Sequence, residues 1–275
     1  MFESAVEWSV NQINENFQLS ADLDKYTFDL GGDALAFAKS VWDVSMVLAA
    51  VVFAIVACFE LYSLSVRNEA RGGPMGSAEI VFKVMFKVAV CYVMLQVSFE
   101  ILQNLYLTSN SLTEAIGGIA YGSSMDREII NWDEVKDDVP SKFGGLGVFA
   151  MSLVVVFVSW AAKYVALVLI LCRLVQIYVY LAIAPIPLAT FPSQEYSQIG
   201  KSFLKSFVAV ALQGSLIYLV VRFLPPLVAS ALDSNVFLQG GSLMADMTIA
   251  ALFSVAILIT IVGTQQLSRR ICNAM

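Results

Sequence analysis

The stretch VFAMSLVVVFVSWAAKYVALVLILCRLVQIYVYLAIAPIP, residues Val148–Pro187, is apolar almost throughout, with Lys163, Arg173 and Gln176 its main polar interruptions. An apolar run of about 18 residues already argues for a membrane span. Drawn as one helix from Val148 to Ala184, the run measures about 55 Å at about 1.5 Å per residue, well beyond a hydrocarbon core of roughly 30 Å. A long tilted helix satisfies that length, and so does a span followed by a re-entrant segment, since irregular backbone at membrane depth is tolerated where protein buries it. The run stops at Pro185-Ile186-Pro187, because each proline lacks an amide donor and biases the residue before it away from helical backbone. Pro185 and Pro187 are read as a structural break.

Working outward, the same criterion marks spans at about 44–64, 80–107, 203–224 and 247–267, so that with 148–184 the chain crosses a bilayer about five times. The fold class is an all-α integral membrane protein whose long third helix ends at the Pro-Ile-Pro break. Gly72-Gly73-Pro74-Met75-Gly76 makes a tight loop between the first two spans. Residues 108–145 form an acidic loop rich in Glu and Asp, and Pro225-Pro226 closes the fourth span. At the front, Phe2, Val6, Val10, Ile13 and Phe17 recur at intervals of three and four, which predicts an amphipathic helix lying at the membrane interface or packed on the protein itself. Residues 1–33 are thus an amphipathic, extracytoplasmic segment and 34–275 a polytopic membrane domain.

Composition points the same way. Charged residues make up 14% of the 275 and hydrophobic ones 59%, against roughly 25% charged in an average soluble domain, which leaves too little charge to cover a water-facing surface. The net charge of -6 offers no basic stripe for nucleic-acid phosphates, so tight direct nucleic-acid binding is not expected. The four cysteines sit in or beside apolar runs and read as small buried hydrophobes. No early apolar segment resembles a cleaved signal, and the first spans are expected to direct insertion. Histidine is absent, and neither a zinc-type cysteine spacing nor a phosphate-binding glycine loop occurs, so the chain is read as no enzyme, with no cofactor beyond a bound phospholipid.

Lys and Arg close to the spans set orientation. Arg67, Arg71, Lys83 and Lys87, then Arg173, Lys201 and Lys205, then Arg269 and Arg270 all fall on the cytoplasmic side of a bacterial plasma membrane if five crossings start with the N-terminus outside, with Arg222 the exception. Ionisable groups within spans are costly and face a bundle interior or an aqueous path. Glu60 with Lys83 and Lys87 reads as a local ion pair between the first two spans. Lys163, Arg173, Lys201 and Lys205 are candidates to face a pore or lipid headgroups, set against the plain reading that they only obey the orientation rule.

Tyr178 to Phe191, YVYLAIAPIPLATF, followed by Ile199 to Phe207, IGKSFLKSF, resembles the TrbL/VirB-type polytopic membrane proteins of conjugative type IV secretion systems, of the kind carried by Firmicutes mobile elements. The resemblance implies a non-enzymatic channel or scaffold subunit of the plasma membrane. It also implies a homo-oligomer that contacts other secretion subunits and a cytoplasmic secretion ATPase, with single-stranded DNA attached to a relaxase as transient cargo. The alternative is a small-solute secondary transporter, which calls for broken helices in corresponding halves of the chain; the Pro185 break has no sequence counterpart in the first half.

Overall fold

The computed structural model describes residues 2–17, 32–69, 77–117, 119, 143–233 and 243–272, and every regular element among them is helical. In chain order these are α1 (Phe2–Phe17), α2 (Asp33–Glu69), α3 (Ser77–Gln96), α4 (Ser98–Gly117), α5 (Phe143–Ile183), α6 (Pro185–Leu188), α7 (Ser197–Asp233) and α8 (Leu243–Ile271). Four of them are long and apolar enough to cross a bilayer, and α3 with α4 makes a fifth where the bent pair counts as one span. The all-α membrane fold expected from composition is therefore the fold observed.

The helices outrun the apolar runs that predict them. The first span reads as 44–64, yet α2 occupies 37 residues, because helical hydrogen bonding continues through polar ends once the apolar middle is helical. α5 is one continuous helix of 41 residues, so the long-helix reading of Val148–Ala184 holds over the re-entrant one. Ala184 keeps helical backbone at φ −46°, ψ −41°, so the break does not come from an extended residue before the proline. It comes after α6, where Thr190 and Phe191 close tight turns onto Pro187 and Leu188 and the chain turns into α7. α7 starts at Ser197 and its helical backbone carries on through Pro225-Pro226 to Asp233, so that pair does not end the helix; prolines are tolerated in membrane helices when neighbouring groups take up the freed carbonyls.

Residues 80–107 read as one span, and the structure bends the helix by 63° at Val97. Val97 itself stays bonded on both sides of the bend, Val97 N to Val93 O and Ile101 N to Val97 O. Neither proline nor glycine lies there; the buried Ser98 hydroxyl instead accepts the Trp42 indole N–H at 3.1 Å. The acidic loop begins later than expected, since α4 stays helical to Gly117, and its remainder from 120 to 142, like Arg71 and the glycine-rich loop at 72–76, lies outside the described residues.

Two compact units divide the chain. The first comprises Met1–Thr27, Asn110–Cys172 and Gln213–Gln266. Within it Val6, Val10 and Ile13 of α1 are fully buried, so the amphipathic helix packs its apolar face on protein, while Trp8 stays exposed. The buried edge of α5 here runs Val148, Ser152, Val155, Ser159, Ala162, Ala166, a spacing of three and four that presents small side chains. Ser152 and Ser159 return their hydroxyls to carbonyls three residues back, and Thr113 shares a hydrogen bond with Ser215 at 2.8 Å.

The second unit comprises Phe28–Ser109, Arg173–Leu212 and Leu267–Met275. Its core joins Leu95, Phe99, Leu102 and Tyr106 to Ile177, Leu181, Leu188, Phe207 and Val210, with α2 lying against α3 and α6. Trp42 meets Phe99 edge-on, and Tyr180 packs against both Phe203 and Phe207. Outside the cores the helices expose Phe37, Val44, Val47, Phe82, Phe157 and Val175, each more than half exposed, an apolar surface that water would penalise and lipid accepts. None of the four cysteines is buried: Cys58 and Cys172 are exposed and Cys91 and Cys272 half-buried, which corrects the expectation of core thiols. A small apolar group loses nothing by facing lipid, so apolar runs do not distinguish core from lipid-facing positions.

Candidate functional site

Glu60, Lys87, Gln194. In the second unit Glu60 projects from α2 and is 6% exposed. One carboxylate oxygen takes the Lys87 ammonium from α3 at 3.3 Å, and the other takes the backbone N–H of Gln194 at 3.1 Å. A single acid thus ties two helices to the turn that follows the Pro-Ile-Pro segment. The charge is met twice over, by a counter-ion and by a turn donor, which is what a buried carboxylate requires. Lys83, four residues before Lys87, is exposed and has its own contacts; of the two lysines it is Lys87 that reaches Glu60.

Arg173, Val210, Ala211. Arg173 leaves α5 toward α7, donating from Nε to the Val210 carbonyl at 3.0 Å and from Nη2 to the Ala211 carbonyl at 2.8 Å. Its guanidinium stands 5.7 Å from the centre of the Tyr106 ring, and Ser109 adds a hydrogen bond to the same Ala211 carbonyl at 2.7 Å. Helical carbonyls carry a second lone pair, so Val210 accepts Arg173 beside its ladder bond, while the Ala211 oxygen is shared between the Arg173 and Ser109 donors. Among the described residues no carboxylate lies within ion-pair distance of Arg173. Its fork is spent inside the protein, which differs from the pore- or lipid-facing position read from sequence.

Lys163 is half-buried on α5 in the first unit and is engaged within the chain. Lys201 and Lys205 are exposed on the first turns of α7. Beside them Gly200 makes the closest approach in this part of the chain: a Cβ there would stand 2.9 Å from the Pro187 carbonyl oxygen and 3.2 Å from the Phe191 ring. Only glycine lets α7 start directly against the Pro-Ile-Pro turn. Between the turn and α7 lies an open groove of about 550 Å³, lined by Tyr180, Pro187, Gln198, Ile199, Ser202, Phe203 and Ser206. Sequence reading singled out neither Gln194, Tyr106 and Ser109 nor the role of Gly200; Gly200 alone carried a signal, as a glycine inside an otherwise helical run.

In the first unit Arg222 donates to the Ile119 carbonyl at 3.3 Å and lies over the Tyr218 ring. No group of three or more His, Cys, Asp or Glu able to hold a metal occurs among the described residues.

Long apolar helices, lipid-compatible outer surfaces and inward-tied charges define a multi-pass membrane protein. The family model described as TrbL/VirB6 plasmid conjugal transfer like protein matches residues 35–185, more than half of the chain, and the chain belongs to that family. It is a membrane subunit of conjugal transfer, or type IV secretion, machinery that works with other subunits of that machinery. The match runs from the start of α2 to Pro185 and so includes YVYLAIAP but not the IGKSFLKSF that follows. No curated protein and no solved structure matches.

Proposed function

We propose that the chain is a non-enzymatic channel or scaffold subunit that helps pass single-stranded DNA with its attached relaxase across the bacterial plasma membrane, in contact with a cytoplasmic secretion ATPase. The observation that carries this reading is the family match over α2 to α5. The protein assembles as a cyclic homo-oligomer. In support, Phe157, Trp160, Tyr164, Val168, Leu171, Val175 and Val179 form an exposed apolar stripe along α5, and copies packed on that stripe shield the long helix from hydrophobic mismatch. Of the small residues Ala161, Ala162 and Ala166, which would let helices approach closely, Ala162 and Ala166 are buried within the chain and are not available to a second copy.

The small-solute transporter is the weaker reading. The bend at Val97 supplies a discontinuity in the first half, but Val97 keeps its own backbone bonds to Val93 and Ile101, and no proline or glycine opens the backbone there as at the Pro-Ile-Pro segment. Deleting the gene in donor cells separates the two: DNA transfer falls to background and returns with the wild-type chain, whereas undiminished transfer with a changed solute uptake overturns the proposal.

The N-terminus lies outside and the C-terminus in the cytoplasm, as the basic positions require. In a cysteine-free background, an impermeant thiol reagent on intact cells labels Ala120→Cys or Leu238→Cys; labelling of Met75→Cys or Gln198→Cys instead reverses the orientation.

A further inference from the structure

Membrane hydroxyls in this protein are for the most part already spent. Ser9, Ser40, Ser63, Ser152 and Ser159 each donate to a carbonyl three or four residues back, which is how a helix hides a hydroxyl where water is scarce. The groove beside the Pro-Ile-Pro turn breaks this habit. Ser202 and Ser206, half-buried and one turn apart on α7, make no side-chain hydrogen bond among the described residues, and neither do Gln198 one turn earlier or the Tyr180 hydroxyl across the groove. A row of polar ends left unmet inside an open groove of about 550 Å³ is costly unless something polar occupies it.

The surroundings select what that is. Gln198, Ser202 and Ser206 form one stripe of α7, and Lys201 and Lys205, both exposed, form the stripe next to it, so the groove carries two cations on one edge. The other lining is apolar, from Pro187, Ile199, Phe203 and the Tyr180 ring. α7 begins its membrane-spanning stretch at Ser197, which puts the groove at the end of a span. Hydroxyl donors, flanking ammonium groups and apolar walls at a span end match a phosphodiester headgroup with acyl chains attached.

We propose that the groove between Tyr180 and the first three turns of α7 is a binding site for one anionic glycerophospholipid. Ser202, Ser206 and Gln198 hydrogen-bond the phosphate, Lys201 and Lys205 set the preference for negative charge, and Phe203 and Ile199 pack on the proximal acyl carbons. Gly200 holds the site open, because its missing side chain lets Pro187 form the far wall. The inference goes beyond the secretion reading and stands on the membrane placement alone.

Native mass spectrometry of the full chain in mild detergent tests it, with phosphatidylglycerol and phosphatidylcholine of matched acyl chains as probes. The wild type retains phosphatidylglycerol at least about tenfold better, each lysine near an anionic headgroup being worth about fivefold. Lys201→Gln with Lys205→Gln brings the two lipids to near parity, while Lys39→Gln on α2, an exposed lysine away from the groove, leaves the preference unchanged. Ser202→Ala with Ser206→Ala, substitutions a helix accepts readily, lowers phosphatidylglycerol retention about fivefold at unchanged helicity and melting temperature. Equal retention of both lipids by the wild type, or full retention by the double alanine variant, overturns the proposal. So does displacement of the lipid by excess inorganic phosphate or by a single-stranded oligonucleotide, which would assign the groove to free phosphate or to nucleic acid.

Discussion

Glu60 and Arg173 are charged groups of the same compact unit, and the protein settles them in opposite ways. Glu60 is enclosed and holds a counter-ion together with one backbone donor. Arg173 keeps its charge without a carboxylate, leaning on two helical carbonyls and an aromatic face. The difference follows from the groups themselves. A carboxylate concentrates charge on two acceptor oxygens, and donors are scarce among helices whose N–H groups are already used. A guanidinium spreads its charge over a flat fork of five donors, and every helix offers carbonyls with a spare lone pair. An acid in a helical bundle therefore needs a cation or a turn, whereas an arginine can be held by the bundle alone.

The largest expected effect comes from Lys87→Met, which leaves the buried Glu60 carboxylate with Gln194 as its remaining donor. It should lower stability by about 3 kcal/mol, at the low end for a broken buried pair because the Lys87 side chain is 36% exposed. Detergent-phase unfolding measures this, and adding Glu60→Gln should recover most of the loss. A Lys87→Met cost no greater than that of Glu60→Gln alone would break the contrast, since it would mean the acid does not depend on its counter-ion.

Arg173→Leu should cost about 2 kcal/mol, the sum of two interhelical hydrogen bonds and one cation–π contact. Arg173→Lys, a point charge that cannot span both carbonyls, should lose about half of that. If a variant with lysine matched the wild type in the same unfolding assay, charge rather than the forked geometry would be what α7 recognises.

Gly200→Ala forces a Cβ to within 2.9 Å of the Pro187 carbonyl, and overpacking of this kind costs about 1.5 kcal/mol. The turn it displaces carries Gln194, so a double-mutant cycle should show coupling to Glu60→Gln and simple additivity with Arg173→Leu. Coupling to both would show that the two charges share one rigid element. Ser98→Ala, which removes the acceptor of the Trp42 indole, should cost about 0.6 kcal/mol and add independently to every variant above.

Much of the architecture is legible in the amino-acid sequence. The apolar runs mark each spanning helix, the three-four spacing of Val6, Val10 and Ile13 marks α1, and the end of α5 before Pro185 follows from the missing amide. The failures are informative. Pro225-Pro226 carries the same local signal as Pro185 and yet lies within helical backbone, while the 63° bend at Val97 carries no local signal at all. Lys83 and Lys87 look equivalent as text, one turn apart on the same helix, but Lys87 is the one that faces Glu60.

The sequence by itself determined that this chain lives in a bilayer, because transfer of a helix into lipid is close to a sum over its residues and that sum survives any arrangement of neighbours. It also determined the end of α5 ahead of Pro185, and its YVYLAIAP segment lies within the matched family region. Only the tertiary structure decided which polar groups meet: that Glu60 finds Lys87 and Gln194, that Arg173 turns to the carbonyls of Val210 and Ala211, and that Gly200 lets α7 touch Pro187. Successive residues of a helix point about 100° apart, so each meeting depends on the rotation and register of two helices at once, and no local pattern in either helix contains the other's angle.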